Sequence, residues 1–509
     1  MPGSARKARR AFVRVGSPAA VLFGIGMLAA FGHSTGIASQ RVVSSEERTV
    51  LVGATLVDGN GGAPMVGARI VMQHGLFACV SGPAGCPSRP GDHEIDLTGQ
   101  WITPGLIDTH VHLPFASSLP GLMRAQRLRF ALGITTVRDA GSRSTNELLA
   151  ARTLAEQAAS PIPRIVVASR VEEADASRLQ VALGAPVVER LAALGVEAIK
   201  LKPPFDREIW REEIRAARRA GIPVFGHTWA GQTEDFTREA IAEGISGISH
   251  IMGLVLAVQP AGAQLTPPGS EDAFWQWEKA LWLTVDSAQV DTLFREMIAA
   301  NVWLEPTLAS EYHFGRPLLP PRQAEFLDAA PSLRAMFLGG GPTGLRPAPV
   351  FPAAWPRQAA FVREFVRRGG IVVAGSDGLS PGVDLHEEIA LIAEATGSPM
   401  IGLQAATRNA ALALNHPEVG TVVLGQVGDA VVYPRDPLEP SDGTLLPSRV
   451  IKGGVLFDGD SLRAEFRDEY DDRVQLAWRA RGLRLAQWSA GIVALLSVLY
   501  LPLRVFRQR

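Results

Sequence analysis

The stretch Leu106–Leu113, LIDTHVHL, places an aspartate and two histidines inside an apolar run that begins at Trp101. On a strand, His110 and His112 project from the same face, and Asp108 shares that face one step further back. Imidazole is the side chain that most often binds a catalytic divalent metal. An H-x-H pair alone is weak evidence, because two core or surface histidines give the same pattern. The rest of the chain must decide between these interpretations.

Seven further β-like runs follow, and most are separated by Ala-, Leu-, Glu- and Arg-rich stretches with helical spacing, such as 206–221. Strands that alternate with amphipathic helices indicate parallel pairing. Eight such units predict an α/β fold, a (β/α)8 TIM-like barrel over residues 101–414, with a doubly wound sheet as the alternative. The eight runs are WITPGLIDTHVHL, GITTVRDAG, RIVVASR, VEAIKLK, IPVFGHTW, GISGISHI, VWLEPTL and GGIVVAGSDG.

Two β-rich flanks, residues 44–100 and 415–465, surround this region. We expect them to combine into one small β-sandwich-like side domain. Two connections within the barrel, roughly 253–290 and 313–358, are too long for plain turns. In a barrel such loops rise from the C-terminal face of the strands, where active sites lie.

Polar residues end several of the other apolar runs. Lys200 lies near the end of the fourth run, His227 of the fifth, His250 of the sixth and Asp377 of the eighth. In a closed barrel these ends converge on one mouth, a pattern that scattered core histidines would not produce. Lys200 and Lys202 share one strand face in VEAIKLKPP, and a buried lysine is costly unless its charge is compensated.

Together these motifs resemble the amidohydrolase superfamily, in its imidazolonepropionase- and prolidase-like branch. The motifs GLIDTHVHL, AIKL, GHTW, SHI and AGSDG occur in the order typical of that family, and the similarity extends from about Val50 to Gly454. The resemblance implies a (β/α)8 barrel with a small β-domain built from both flanks. The segment VFGHTWAG around His227 is less polar than the family pattern, which leaves the substrate specificity open.

The resemblance also implies a centre with two divalent metal ions, expected to be zinc. His110 and His112 would bind the more buried ion together with Asp377, and His227 and His250 would bind the second. The complete implied ligand set is His110, His112, Lys200, His227, His250 and Asp377.

Within this set, Lys200 corresponds to a bridging lysine that reacts with CO2 to form a carbamate. Carbamylation converts a cation into an anion with two oxygens, which can bridge two metals. The lysine must first be neutral, and burial beside cations favours the neutral form. Spacing alone leaves Lys202 as the alternative carbamate.

The implied reaction is hydrolysis of a C–N (amide) bond by a hydroxide that bridges the two metals. Asp377 would be the catalytic residue and would transfer the proton of the attacking hydroxide to the leaving nitrogen. The expected substrate is a small N-acyl amino acid, a dipeptide or a cyclic amide. Tyr312, His313 and Arg138 are candidate substrate contacts, although Arg138 could instead pair with Asp139.

Two alternative functions stay open at this point. The first is a mononuclear deaminase or cyclic-amide hydrolase of the same superfamily, in which His250 would orient the substrate and Lys200 would stay an amine. The second is a non-catalytic, membrane-tethered binding protein. The presence of suitable residues at all six ligand positions argues against it.

Both ends of the 509-residue chain are typical of membrane segments. Residues 1–43 join a basic stretch to a short apolar run, which predicts a signal peptide or an N-terminal membrane anchor. Residues 485–503 are uncharged and long enough for a transmembrane helix. We therefore expect the barrel to lie outside the cytoplasmic membrane, in the periplasm or extracellular space, where Cys79 and Cys86 could form a disulfide.

The net charge of −1 gives no indication of a nucleic-acid partner, and the sequence does not indicate an oligomeric state.

Overall fold

A computed structural model gives the fold of the chain. Both expected membrane segments, 1–43 and 485–503, lie outside the residues that it describes. Within those residues, no helix is long and apolar enough to cross a bilayer. The described residues are 48–113, 119–141, 145–157, 159–201, 206–228, 236–263, 265–268, 271–310, 351–378, 382–439, 446–464 and 466.

These residues contain sixteen strands and thirteen helices. The strands are β1 (Thr49–Leu56), β2 (Met65–Gln73), β3 (Leu76–Ser81), β4 (His93–Asp96), β5 (Trp101–Pro104), β6 (Leu106–Val111), β7 (Ile134–Asp139), β8 (Arg164–Val166), β9 (Ala168–Arg170), β10 (Ala198–Leu201), β11 (Val224–Gly226), β12 (Gly247–Ser249), β13 (Trp303–Glu305), β14 (Ala430–Tyr433), β15 (Arg449–Lys452) and β16 (Val455–Asp458). The helices are α1 (Leu119–Ala131), α2 (Thr145–Ala155), α3 (Glu173–Leu179), α4 (Ala185–Ala193), α5 (Arg207–Ala220), α6 (Thr237–Glu243), α7 (Ile251–Ala257), α8 (Glu271–Leu281), α9 (Ser287–Ala299), α10 (Phe351–Arg367), α11 (Val383–Thr396), α12 (Pro399–Ala405) and α13 (Arg408–Ala413).

Strands from both flanks of the chain form one eight-stranded sheet, which we name the flank sheet. Its order is β16-β15-β14-β5-β1-β2-β3, and β4 also pairs with β1, so the sheet branches at β1. Strands β1 and β5 run parallel, whereas β14 runs antiparallel to β5. Apolar side chains such as Leu51, Ile70 and Ile451 are buried in a core that belongs to this sheet. The two flanks are therefore parts of one layer.

The region between the flanks alternates parallel strands with helices and is TIM-barrel-like. Strands β9 to β13 form one five-stranded parallel sheet, and β6, β7 and β8 form a three-stranded one. All residues of β6, β7 and β10 are buried, as is typical of parallel strands covered on both faces. The third predicted run is interrupted at Val167, which separates β8 from β9.

The eighth predicted run, GGIVVAGSDG, is not a regular strand, in contrast to the expectation. It makes one parallel bridge to Leu304 of β13. On its other side, the N–H of Thr109 donates to the carbonyl of Ala374, and the N–H of Asp377 donates to the carbonyl of His110. The pairing with β6 is incomplete because the N–H of Ala374 donates to the carbonyl of Ala405, at the end of α12, and not to β6. The run nevertheless lies between β13 and β6.

The first predicted run divides into two strands at Gly105. Strand β5 pairs with β1 and β14 in the flank sheet, whereas β6 pairs with β7 in the barrel region. A Cβ atom on Gly105 would lie 2.2 Å from Oγ1 of Thr135, so only glycine allows this close approach. One continuous segment therefore passes from the flank sheet into the strand that contains His110.

The helical prediction for residues 206–221 is confirmed by α5. The Asp206 side chain accepts hydrogen bonds from the N–H groups of Glu208 and Ile209, which are otherwise unpaired at the first turn. Trp210 and Ile214 are fully buried on its inner face.

The first of the two long connections is mostly helical, and the second lies largely outside the described residues. The segment 253–290 is largely helical, because it contains most of α7, all of α8 and the start of α9, and Trp282 in it is fully buried. Of the segment 313–358, only the part from Phe351 onward lies within the described residues, and there α10 begins.

Two local links stabilise the flank sheet. Cys79 and Cys86 form a disulfide, as expected for an oxidising compartment. The buried ammonium of Lys452 on β15 reaches the loop after α2. It donates to the main-chain carbonyls of Ala155, Ser160 and Ile162.

Candidate metal centre

The six predicted metal ligands lie at or just beyond the C-terminal ends of the barrel strands. His110 and Lys200 are within β6 and β10. His112, His227 and His250 directly follow β6, β11 and β12, respectively. Asp377 lies within the eighth run. Parallel pairing puts these strand ends on one side of the fold.

His110 lies at the centre of the group and is fully buried. Its Nε2 atom is 3.3 Å from Nζ of Lys200 and 3.6 Å from Oδ1 of Asp377. Its Nδ1 atom is 2.6 Å from Oε2 of Glu305. The two ring nitrogens therefore face different surroundings, one the predicted ligands and the other a buried carboxylate.

Asp377 lies among three histidines. Its Oδ1 is also 3.2 Å from Nε2 of His112, and its Oδ2 is 3.7 Å from Nδ1 of His250. Ligand atoms of His110, His250 and Asp377 all lie within 4.8 Å of one another, close enough to hold one metal ion. His112, which is a third exposed, stands beside this trio.

Burial sets the charge states of these groups. It lowers the pKa of His110 to about 4 and that of His250 to about 3, so both imidazoles are neutral near pH 7. Burial would raise the pKa of Asp377, but His110 and the hydrogen-bonded His112 hold it well below its ordinary value. Neutral imidazoles and an ionised carboxylate are the forms that bind a metal ion, so the donor set fits a divalent cation of the zinc type.

Lys200 is fully buried beside His110. Burial lowers the pKa of its amine to about 7, although the nearby carboxylates of Glu305 and Asp377 raise it. A substantial fraction of the amine is therefore neutral near pH 7. The neutral amine is the form that can react with CO2.

Three non-glycine residues at the site have left-handed backbones. The φ angles are +69° at His250, +51° at Thr307 and +44° at Asp377. Each such conformation costs on the order of 1–3 kcal/mol, and strain of this kind is typical of functional sites. Nδ1 of His250 is 2.9 Å from Oγ1 of Thr307, which ties two of the strained residues together.

His227 lies next to His250, with 4.5 Å between the ring centroids. Burial, reinforced by the neighbouring His250, holds the pKa of His227 well below its ordinary value. Among the described residues, His227 is outside the trio with ligand atoms within 4.8 Å. The structure thus brings His227 next to one member of the trio, His250.

Among the predicted substrate contacts, only Arg138 lies within the described residues. Tyr312, His313 and Lys202 lie outside the described residues. Arg138 is fully buried below the site, where it donates to Glu305 and to the carbonyl of Thr109. Its guanidinium is therefore engaged with a buried carboxylate and with the main chain, and a substrate contact of Arg138 stays a prediction.

Glu305, at the end of β13, is a site residue that the sequence reasoning missed. Burial would raise its pKa, but Arg138 and His110 hold it well below the ordinary value, so the carboxylate is ionised. Its signal in VWLEPTL is the same as for the predicted ligands, a polar residue that ends an apolar run.

Gly375 leaves the space for this buried pair. A Cβ atom there would lie 2.6 Å from Cβ of His110 and 2.9 Å from Cδ of Glu305. The contact between these two side chains thus requires a glycine on the facing run.

Comparison with known proteins agrees with this geometry. The family model described as "Amidohydrolase family" matches residues 101–457. The imidazolonepropionase of Pseudomonas entomophila is 27% identical over 418 residues, which cover 76% of this chain and 93% of that protein. The imidazolonepropionase of Caulobacter vibrioides is 37% identical over 108 residues, 19% of this chain and 27% of that protein.

Two solved structures show the same fold. A Xaa-Pro dipeptidase with bound methionine superimposes with a TM-score of 0.57 at 19% identity, covering 81% of this chain and 100% of that one. A molinate hydrolase superimposes with a TM-score of 0.58 at 18% identity, covering 82% of this chain and 96% of that one.

Proposed function

Because the chain belongs to the amidohydrolase family and is a metal-dependent hydrolase of C–N bonds, we propose that it cleaves a small amide. The proposed substrates are N-acyl amino acids, dipeptides and cyclic amides, and the products are a carboxylate and an amine. The observation that carries this proposal is the trio of His110, His250 and Asp377, with ligand atoms within 4.8 Å of one another at the strand ends. The name of the dipeptidase with the same fold adds support for a dipeptide.

In the proposed mechanism, Asp377 moves the proton. Its ionised carboxylate accepts one proton from the water whose oxygen bonds to the carbonyl carbon, and gives that proton to the nitrogen as the C–N bond breaks, which leaves a carboxylic acid and a neutral amine. The acid then loses its remaining proton to solvent and becomes the carboxylate product. His112, 3.2 Å away, orients the carboxylate. Divalent ions bound at the site supply Lewis acidity and lower the pKa of water. The candidate holders of two ions are His110, His112, Lys200, His227, His250 and Asp377.

We propose that Lys200 acts as a carbamate. Its neutral amine would attack CO2, form an N–C bond and release one proton, which leaves a carbamate with one negative charge. The burial of Lys200 and its contact with His110, 3.3 Å away, support this role. Carbon-13 NMR of protein incubated with labelled bicarbonate should show one carbamate signal, which Lys200→Ala should lack.

Metal content separates this proposal from the mononuclear alternative. Two ions per wild-type chain and clear loss in Lys200→Ala are expected. One ion in both proteins would favour a mononuclear deaminase or cyclic-amide hydrolase, an alternative supported by the trio of described ligands with space for one ion.

The decisive test is a substrate screen with the metal-loaded protein. N-acyl amino acids, dipeptides, including those with a C-terminal proline, and cyclic amides are supplied, and amine release is measured. Asp377→Asn is the matched control, because it keeps the size of the side chain but cannot accept the proton. Absence of turnover across all three classes would contradict the proposed substrate class.

The domain arrangement is also a proposal. Residues 101–414 are proposed to close into a (β/α)8 barrel, supported by the bonds of the eighth run to both β13 and β6. Residues 44–100 and 415–465 would form the side domain, to which β5 adds a strand through its pairing with β1 and β14.

We further propose that the enzyme is anchored to the membrane through 1–43 or 485–503, with the barrel in the periplasm or outside the cell. The Cys79–Cys86 disulfide supports an oxidising location. Thiol trapping in intact cells is the test. Alkylation of both cysteines without prior reduction would contradict the proposed location.

A further inference from the structure

Glu305 connects the metal centre to three other strands of the barrel. Its Oε1 accepts hydrogen bonds from Oγ1 of Thr109 at 2.5 Å and from Nη2 of Arg138 at 2.6 Å. Its Oε2 accepts one from Oγ of Ser249 at 2.6 Å and lies 2.6 Å from Nδ1 of His110. Two lone pairs on each oxygen are thereby used.

These contacts decide which nitrogen of His110 is protonated. An ionised carboxylate only accepts hydrogen bonds, so Nδ1 of His110 must carry the proton that it donates to Glu305. The lone pair then lies on Nε2, which is the nitrogen that faces Lys200 and Asp377. The ring orientation is fixed at the same time, because Glu305 is itself held from β6, β7 and β12.

We propose that Glu305 is a positioning residue that makes His110 a metal ligand by fixing its Nδ1–H tautomer, with Arg138 as its charge partner. The proposal rests on the proposed function, because it assumes that His110 binds a metal ion. Carboxylates that orient ligand histidines in this way contribute about 10–100-fold to metal affinity or activity. Nothing in the sequence of β13 beyond one glutamate indicates this role.

The substitution Glu305→Gln tests the tautomer directly. Arg138 has only donors, so the new amide must turn its oxygen toward Arg138 and its NH2 group toward His110. The NH2 group needs an acceptor, which favours an unprotonated Nδ1 and moves the proton of His110 to Nε2. We expect Zn²⁺ to bind about 10–100-fold more weakly, measured by competition with a chromophoric chelator.

Glu388→Gln is the matched control. Glu388 is also fully buried and accepts a hydrogen bond from the N–H of Ala309 at 2.7 Å. An isosteric change there should leave the affinity for Zn²⁺ within about two-fold of the wild type, since no ligand contact is altered. An equal loss in both variants would assign the effect to general destabilisation and overturn the proposal.

Histidine-selective ¹⁵N NMR of the metal-free wild type reads the tautomer of His110 in the unaltered protein, and a variant is needed only to assign the signal. The chain has 10 histidines, and the signal of His110 is identified by its absence in His110→Gln. The Nδ1–H tautomer is expected, and it should become Nε2–H in Glu305→Gln. An Nε2–H tautomer in the wild type, or unchanged Zn²⁺ affinity in folded Glu305→Gln, would overturn the proposal.

Neither readout requires turnover, so the two proposals fail separately. A protein inactive on every amide but with a Glu305-dependent Zn²⁺ affinity keeps the positioning role and loses the proposed substrates. An active enzyme whose Glu305→Gln variant binds Zn²⁺ normally keeps the hydrolase function and loses the positioning role.

Discussion

Replacing Arg138 by methionine should destabilise the protein strongly, and the folded, metal-loaded fraction should keep the KM of the wild type. The guanidinium is fully buried, lies 2.6 Å from the Glu305 carboxylate and donates to the carbonyl of Thr109 at 2.7 Å. Removing one partner of a buried ion pair leaves an uncompensated charge and costs about 3–5 kcal/mol. Arg138 also stacks 3.3 Å from the ring centroid of Phe225, which favours the upper half of that range.

The assay is urea denaturation of the metal-free protein, followed by tryptophan fluorescence. In the double variant Arg138→Met/Glu305→Gln no buried charge is left unpaired, so about 1–3 kcal/mol of the loss should be recovered. Arg219→Met is the control, because Arg219 pairs with Glu189 on the surface at 3.5 Å with both side chains mostly exposed. Its effect should stay within about 0.5 kcal/mol.

The refuting result is equally specific. If Arg138→Met unfolds within about 1 kcal/mol of the wild type but has a clearly raised KM, Arg138 contacts the substrate as the sequence alone suggested. The buried ion pair would then not be the main role of this residue.

Three further predictions concern other parts of the chain. Gly375→Ala should cost about 1–3 kcal/mol through overpacking against His110, and it should lower the Zn²⁺ content measured by atomic absorption. The hydrogen bond that His416 donates to the Glu197 carboxylate raises the pKa of His416 above its ordinary 6.5. The stability lost in His416→Asn, measured by urea midpoints across pH, should therefore be largest below about pH 6 and should vanish as the pH rises through the raised pKa. Lys452→Met leaves three main-chain carbonyls without their donor and should lower the urea midpoint by the equivalent of about 1–3 kcal/mol; an unchanged midpoint would contradict that link.

The convergence of the proposed metal ligands could be predicted from the sequence because each one is a polar residue at or near the end of an apolar run. His110, His250 and Asp377 share that signal, and parallel pairing alone brings such ends together. Their mutual distances could not be derived, since they depend on the left-handed backbones at His250 and Asp377. The assignment of His227 to a second ion, and the contacts of Tyr312, stay predictions.

Other features depend on contacts between strands that are far apart in the sequence, which one sequence does not reveal. Arg138 looked like a substrate contact because its partner, Glu305, lies 167 residues further along the chain. The first run looked like one strand because Gly105 changes the pairing partner without changing the extended conformation. The eighth run looked like a strand because its apolar composition does not show that the N–H of Ala374 bonds to Ala405, at the end of α12, and not to β6.

The passage of the chain through Gly105 limits how the protein can be dissected. A fragment that begins at Leu106 would keep every proposed metal ligand, yet it would lack β5, whose pairing with β1 and β14 fixes where the following strand starts. Shortening or inserting a residue between β5 and β6 would shift His110 relative to its neighbours by one strand position, about 3.3 Å, and turn its ring to the opposite face. The flank sheet thus fixes the register of the strand that contains His110. A minimal catalytic fragment has to include this sheet.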